Sequence, residues 1–98
     1  MEGLGDILRH ELIGLDIEIV KAKNKALEGI EGKIIYETKN LLHVETKKGV
    51  KKIIKDQVTI RLRFNGKMLE INGKLLALAR STILSKHAPE KLSWKFSS

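Results

Sequence analysis

The chain has 98 residues, 42% of them hydrophobic and 32% charged; that is enough for one modest core and too little for two full domains. It contains no cysteine, which excludes a disulfide framework and a thiolate metal site. The formal net charge is +7, divided unevenly: residues 1–31 hold four bases against seven acids (net −3), and residues 32–98 hold fifteen bases against five acids (net +10). Such a field favours a polyanion on one side and leaves the other side for a different partner. No apolar run approaches the roughly 18 residues of a membrane-spanning helix. The opening Met1-Glu2-Gly3-Leu4-Gly5-Asp6 lacks the basic and apolar regions of a signal peptide. One soluble, cytoplasmic domain over residues 1–98 is expected, with no membrane contact.

Leu4, Ile7, Leu8 and Leu12 fall at helical spacing and predict a short amphipathic helix over 4–12. A helix this short does not repay its own nucleation, so it must dock on something. From Leu15 the period is two, and strands are expected near 15–22, 30–38, 41–47, 50–56, 58–64 and 67–72. Val58, Ile60, Leu62 and Phe64 alternate with Thr59, Arg61 and Arg63, giving one dry face and one basic face. Asn65-Gly66 is the signature of a two-residue hairpin. Closing it there pairs Phe64 with Lys67, Leu62 with Leu69, Arg61 with Glu70 and Ile60 with Ile71, so like meets like and opposite charges meet. Lys48-Gly49 and Lys39-Asn40 mark two further turns, and Gly29-Ile30-Glu31-Gly32 a bend or bulge. After Gly73 the period lengthens, predicting a helix over 76–86 that stops before Pro89. The tail 87–98, with Trp94 and Phe96, is expected to be loosely ordered. Short twisted strands in this number close into a small antiparallel barrel, mainly β, of five to six strands with short helices at both ends.

Signals for catalysis are weak. His10, His43 and His87 are far apart and have no ligand spacing. Ser81 and Thr82 have no base and orienting group in view; helix capping is the simpler reading. Glu31 and Glu37 are read as salt-bridge partners of Lys33 or Lys39. Gly29 to Gly32 is too short and too acidic to cradle a phosphate. Binding signals are stronger. Lys47, Lys48, Lys51, Lys52 and Lys55 surround one hairpin, a cluster that attracts phosphates by charge and counterion release but that also protects a strand edge from aggregation. Arg61 and Arg63 project from one strand face and suit bidentate phosphate contacts; if Glu70 holds Arg61, Arg63 is the freer of the two. With only four aromatic residues, and Tyr36 alone near the basic strands, structured RNA gripped through phosphates fits better than a stacked single strand.

Several pieces at their spacing resemble archaeal ribonuclease P protein component 1, a family homologous to the 29-kilodalton protein subunit of the eukaryotic enzyme. They are His10-Glu11-Leu12-Ile13-Gly14-Leu15, Lys23-Asn24, Gly29-Ile30-Glu31-Gly32-Lys33-Ile34, Glu37-Thr38-Lys39-Asn40, Lys48-Gly49, Gly66-Lys67 and Ile71-Asn72-Gly73-Lys74-Leu75. The resemblance covers about residues 10–76. It implies an Sm-like, SH3-like twisted barrel and a protein subunit without catalytic residues of its own, in an RNA-based endoribonuclease that removes the 5′ leader of precursor tRNA. The RNA subunit would use Mg2+; the protein would bind no cofactor and no metal. Implied partners are ribonuclease P RNA, a zinc-ribbon protein subunit and the other ribonuclease P proteins, with the chain a monomer when free. The sequence departs from the family where Ala79-Arg80-Ser81-Thr82 replaces the usual Arg-Pro-Glu-Asp, and where Leu41 follows the Asn turn in place of Thr.

Match and charge together select Lys33, Lys39, Asn40, Lys48, Lys51, Lys52, Arg61 and Arg63 for RNA. The resemblance suggests Leu8, Leu12, Leu15, Ile17, Ile83 and Leu84 for the protein partner. The alternatives are a generic small-barrel RNA binder, Sm-type or ribosome-associated, and a protein-interaction barrel whose charge serves solubility. An autonomous nuclease is disfavoured, because no acidic metal cluster is visible.

Overall fold

The computed structural model describes residue 8 and residues 10–81. Six strands follow in chain order: β1 (Asp16–Ala22), β2 (Glu31–Glu37), β3 (Leu41–Thr46), β4 (Gly49–Ile54), β5 (Val58–Phe64) and β6 (Lys67–Asn72). They form one antiparallel sheet in the order β4-β3-β2-β1-β5-β6. A helix, α1, covers residues 73–81. The β5–β6 register is the one the Asn65-Gly66 turn demands, from Phe64 opposite Lys67 to Ile60 opposite Ile71. Both turn residues have positive φ, +52° at Asn65 and +77° at Gly66, as the tight turn requires.

The sheet is coiled rather than flat. Register shifts interrupt β1 between Ile19 and Lys21 and β2 between Ile34 and Tyr36, and such bulges bend a strand and sharpen its twist. All six strands and α1 therefore feed a single core: Ile17 and Ile19, Ile34, Leu42 and Val44, Ile53, Ile60 and Leu62, Ile71, and Leu76. The two edges of the sheet approach each other at one end, beyond β4 and β6. A Cβ on Gly73, the residue after β6, would overlap the carbonyl oxygen of Lys55, the residue after β4. Only glycine allows the chain to close there.

Three boundaries differ from expectation. The last helix begins at residue 73 rather than 76, because Asn72 caps it: its Oδ1 accepts from the Lys74 amide at 2.8 Å. β4 ends at Ile54, and Lys55–Gln57 form a 3₁₀ turn that aims Lys55 inward. At the N-terminus Leu8 is helical, but His10, Glu11 and Leu12 are not. The remainder of the expected first helix, the end of the last one and the tail 87–98 lie outside the described residues. Among the described residues no helix is long and apolar enough to cross a membrane.

Candidate nucleic-acid interface

The position of Glu37 decides which charges reach the surface. Its carboxylate is buried at the end of β2. It accepts from Lys55 Nζ at 2.7 Å, Arg80 Nε at 2.6 Å and Arg80 Nη2 at 2.7 Å. Lys55 and Arg80 are buried too, 0% and 3% exposed. Lys55 gives its other protons to the carbonyls of Thr38 and Lys39, and Arg80 Nη1 donates to those of Leu8 and His10. Two cations on one anion are tolerable only because carbonyl oxygens complete the shell. Burial, with help from the Arg80 charge, holds the Lys55 ammonium below its usual pKa; the Glu37 bond and charge oppose that shift. The network ties the N-terminal segment, the β2–β3 turn, the residue after β4 and α1 together. It also corrects two expectations. Glu37 pairs with Lys55 and Arg80, 18 and 43 positions away, not with Lys33 or Lys39. And Lys55 is no part of an exposed hairpin cluster.

The candidate RNA residues divide into three groups. Lys33, Arg61 and Arg63 line one outer groove with Lys47. Its volume of about 570 Å3 falls in the range of ligand pockets, but Asp16, Glu18, Glu31 and Glu45 line it as well. Arg61 is held by Glu18 at 3.1 Å and Glu70 at 3.8 Å, and Lys33 lies 3.8 Å from Asp16. Arg63 and Lys47 are the exposed cations of this groove that form no ion pair among the described residues. Lys39 and Asn40 sit exposed on the β2–β3 turn, next to the buried network. Lys48, Lys51 and Lys52 belong to the β3–β4 hairpin, where neither they nor Lys47 forms an ion pair among the described residues.

The strand pleat separates two of these neighbours. Lys51 lies opposite buried Val44, on the core side of the edge strand, whereas Lys52 lies opposite His43 on the outer side. A phosphate on one face therefore meets Lys52 and not Lys51.

A second basic groove escaped the sequence reading. Lys21, Lys23, Lys25 and Lys74 line it with two acids, Glu28 and Asp56; Lys25 is paired with Glu28 at 3.6 Å. Three of these lysines come from the acidic first third of the chain, so a local charge count hides them. Only the pairing of β1 with β5, and of β5 with β6, brings Lys74 beside them.

Of the residues suggested for a protein partner, Leu12 and Ile17 are 0% and 4% exposed and belong to the core; they have no surface to offer. Leu8 and Leu15 are half-buried against that core, and Ile83 and Leu84 lie outside the described residues. The exposed apolar side chains of the terminal segments are instead Ile13, Leu75 and Leu78, the last 73% exposed. Leu75 and Leu78 stand three apart on α1, a spacing the sequence did show.

Comparison with known proteins agrees with this architecture. Residues 5–83 match the family Ribonuclease P/MRP, subunit p29. A ribonuclease P protein component 1 from Methanocaldococcus jannaschii is 47% identical over 72 residues, covering 72% of this chain and 76% of that protein. One from Methanococcus aeolicus is 44% identical over 73 residues, covering 72% and 76%. The solved structure of Mth11, a homologue of human RNase P protein Rpp29, superimposes with a TM-score of 0.53 at 34% identity, over 66% of this chain and 86% of that one. The small coiled β-sheet, its capping helix and these matches together place the chain in the ribonuclease P/MRP subunit p29 family.

Proposed function

We propose that this chain is the subunit that grips ribonuclease P RNA by its phosphates, with the unpaired cations of the β3–β4 hairpin and Arg63 as its principal contacts. What carries the reading is the distribution of counter-charges. Lys33 and Arg61 are already paired with carboxylates, whereas Lys47, Lys48, Lys51 and Lys52 have no such partner among the described residues. Cations without partners release the most counterions when they meet a polyanion. Held on a rigid barrel, they screen phosphates where RNA helices approach, and so lower the Mg2+ the RNA needs to keep its active shape. In this reading the RNA and its Mg2+ carry out the hydrolysis that removes the 5′ leader of precursor tRNA in the cytoplasm, and the chain supplies no catalytic group. A zinc-ribbon protein subunit would dock on the terminal segments, with Ile13 and Leu78 offering apolar surface.

The test is a titration against a ribonuclease P RNA and a size-matched unrelated structured RNA across a salt series. The reading expects tighter binding to the first by about tenfold or more, and log affinity falling linearly with log salt. Replacing Lys48 and Lys52 by Glu should weaken binding and lower the salt slope by about two contacts. Unchanged affinity in that double variant would remove the hairpin from the interface.

A further inference from the structure

The outer face of β2, β3 and β4 carries a row of side chains that phosphate binding does not explain. Tyr36 lies opposite His43, and His43 lies opposite Lys52, so the row crosses three strands. The Tyr36 and His43 rings meet edge to face, with centroids 5.2 Å apart and planes at 84°. Two rings at right angles form a corner, in which a third flat ring can stack on one and meet the edge of the other. Both residues are half-buried, so the strands hold the rings while solvent still reaches them. Exposed Ile54, 51% accessible, lies two residues beyond Lys52 on the same face, opposite Leu41, and adds an apolar border.

We infer that Tyr36 and His43 form a stacking site for one unpaired nucleobase of an RNA strand, with the Lys52 ammonium on an adjoining phosphate. The inference rests on the RNA-binding reading above and adds a base contact to it. Burial and the neighbouring Lys52 charge lower the pKa of His43, so its ring is neutral near pH 7 and serves as a flat surface rather than as a phosphate cation. Charge argues for a nucleotide over a protein strand as the occupant. Residues 38–55 contain six lysines and one glutamate, and only Lys55 among those lysines is consumed inside the fold. Every base offers a π-face, so such a corner is tolerant of sequence and selective for unpaired over paired nucleotides.

The test titrates the full chain with oligoadenylate of about eight nucleotides, the span of one small barrel, and with an RNA duplex carrying the same number of phosphates. Side-chain aromatic NMR signals are followed. The Tyr36 and His43 ring signals should shift with the single strand and stay in place with the duplex. Tyr36→Leu and His43→Leu should each weaken oligoadenylate binding by roughly tenfold, whereas Tyr36→Phe and His43→Phe should retain it. Silent rings with equal binding to both RNAs would leave the phosphate reading standing and overturn the stacking site. So would leucine variants with unchanged affinity, or phenylalanine variants weakened as much as the leucine ones. No binding of either RNA at low salt would overturn the RNA-binding reading itself. Ring shifts that appear only with another protein subunit would make this face a protein contact and refute the inference.

Discussion

Replacing Glu37 by Gln removes one charge and almost no volume from the most constrained point of the fold. The carboxylate accepts three hydrogen bonds, all between 2.6 and 2.7 Å, from two buried cations. Without it Lys55 and Arg80 face each other uncompensated, and the new amide adds donors where only acceptors fit. Removing one partner of a buried ion pair costs about 3–5 kcal/mol; two stranded cations put the loss near the upper end, about 5 kcal/mol. Against a total stability of about 5–15 kcal/mol, and at roughly 4–8 °C per kcal/mol for a domain of this size, melting should fall by some 20 °C or more. Denaturant unfolding followed by circular dichroism measures it. A pH series adds a sign. Lys55 binds its proton less tightly in the folded state than in the unfolded state, because of burial, and losing Glu37 deepens that difference. The penalty is therefore full while Lys55 is charged in both states. It fades as pH rises through the lowered folded value toward the ordinary lysine value of about 10.4. The variant should thus regain part of its deficit in alkali. A loss below about 1 kcal/mol at neutral pH, or a deficit that grows with pH, would refute the account of the network.

Other consequences follow from the same geometry. Gly73→Ala should destabilise by about 3 kcal/mol or more, because its methyl would overlap the Lys55 carbonyl and backbone cannot yield as a side chain can; a denaturation midpoint near that of the parent chain would contradict the barrel closure. Lys52→Gln should raise the pKa of His43, since it removes one of the two causes of its depression and leaves burial in place; an NMR titration of the imidazole reads this, and an unmoved or lowered value would show that the two groups do not interact. Arg61→Gln should reduce RNA affinity less than Lys52→Gln in the same salt, because Arg61 is already occupied by Glu18 and Glu70; the reverse order in a binding titration would refute the claim that ion pairing withholds Arg61 from RNA.

Local chemistry is what the sequence could settle. Alternation, turn residues and the Asn65-Gly66 pair specify six strands and the β5–β6 register, because pleat and turn geometry act over a few residues. The family resemblance is legible for the same reason, since its motifs sit at those turns. Charge bias toward the last two thirds is likewise plain from the residues alone. Which lysines are available is not. Lys55 reads as one more base in a basic hairpin and becomes the centre of a buried network. Arg80 reads as a departure from a family pattern and becomes the side chain that fastens both terminal segments. Lys51 and Lys52 are neighbours in the chain and lie on opposite faces of the strand. Burial, ion pairing and the convergence of Lys21, Lys23 and Lys74 depend on which distant strands meet. That is decided by how the bulged sheet closes on its single core: contacts made across 18 to 43 positions leave no trace in any local window of sequence.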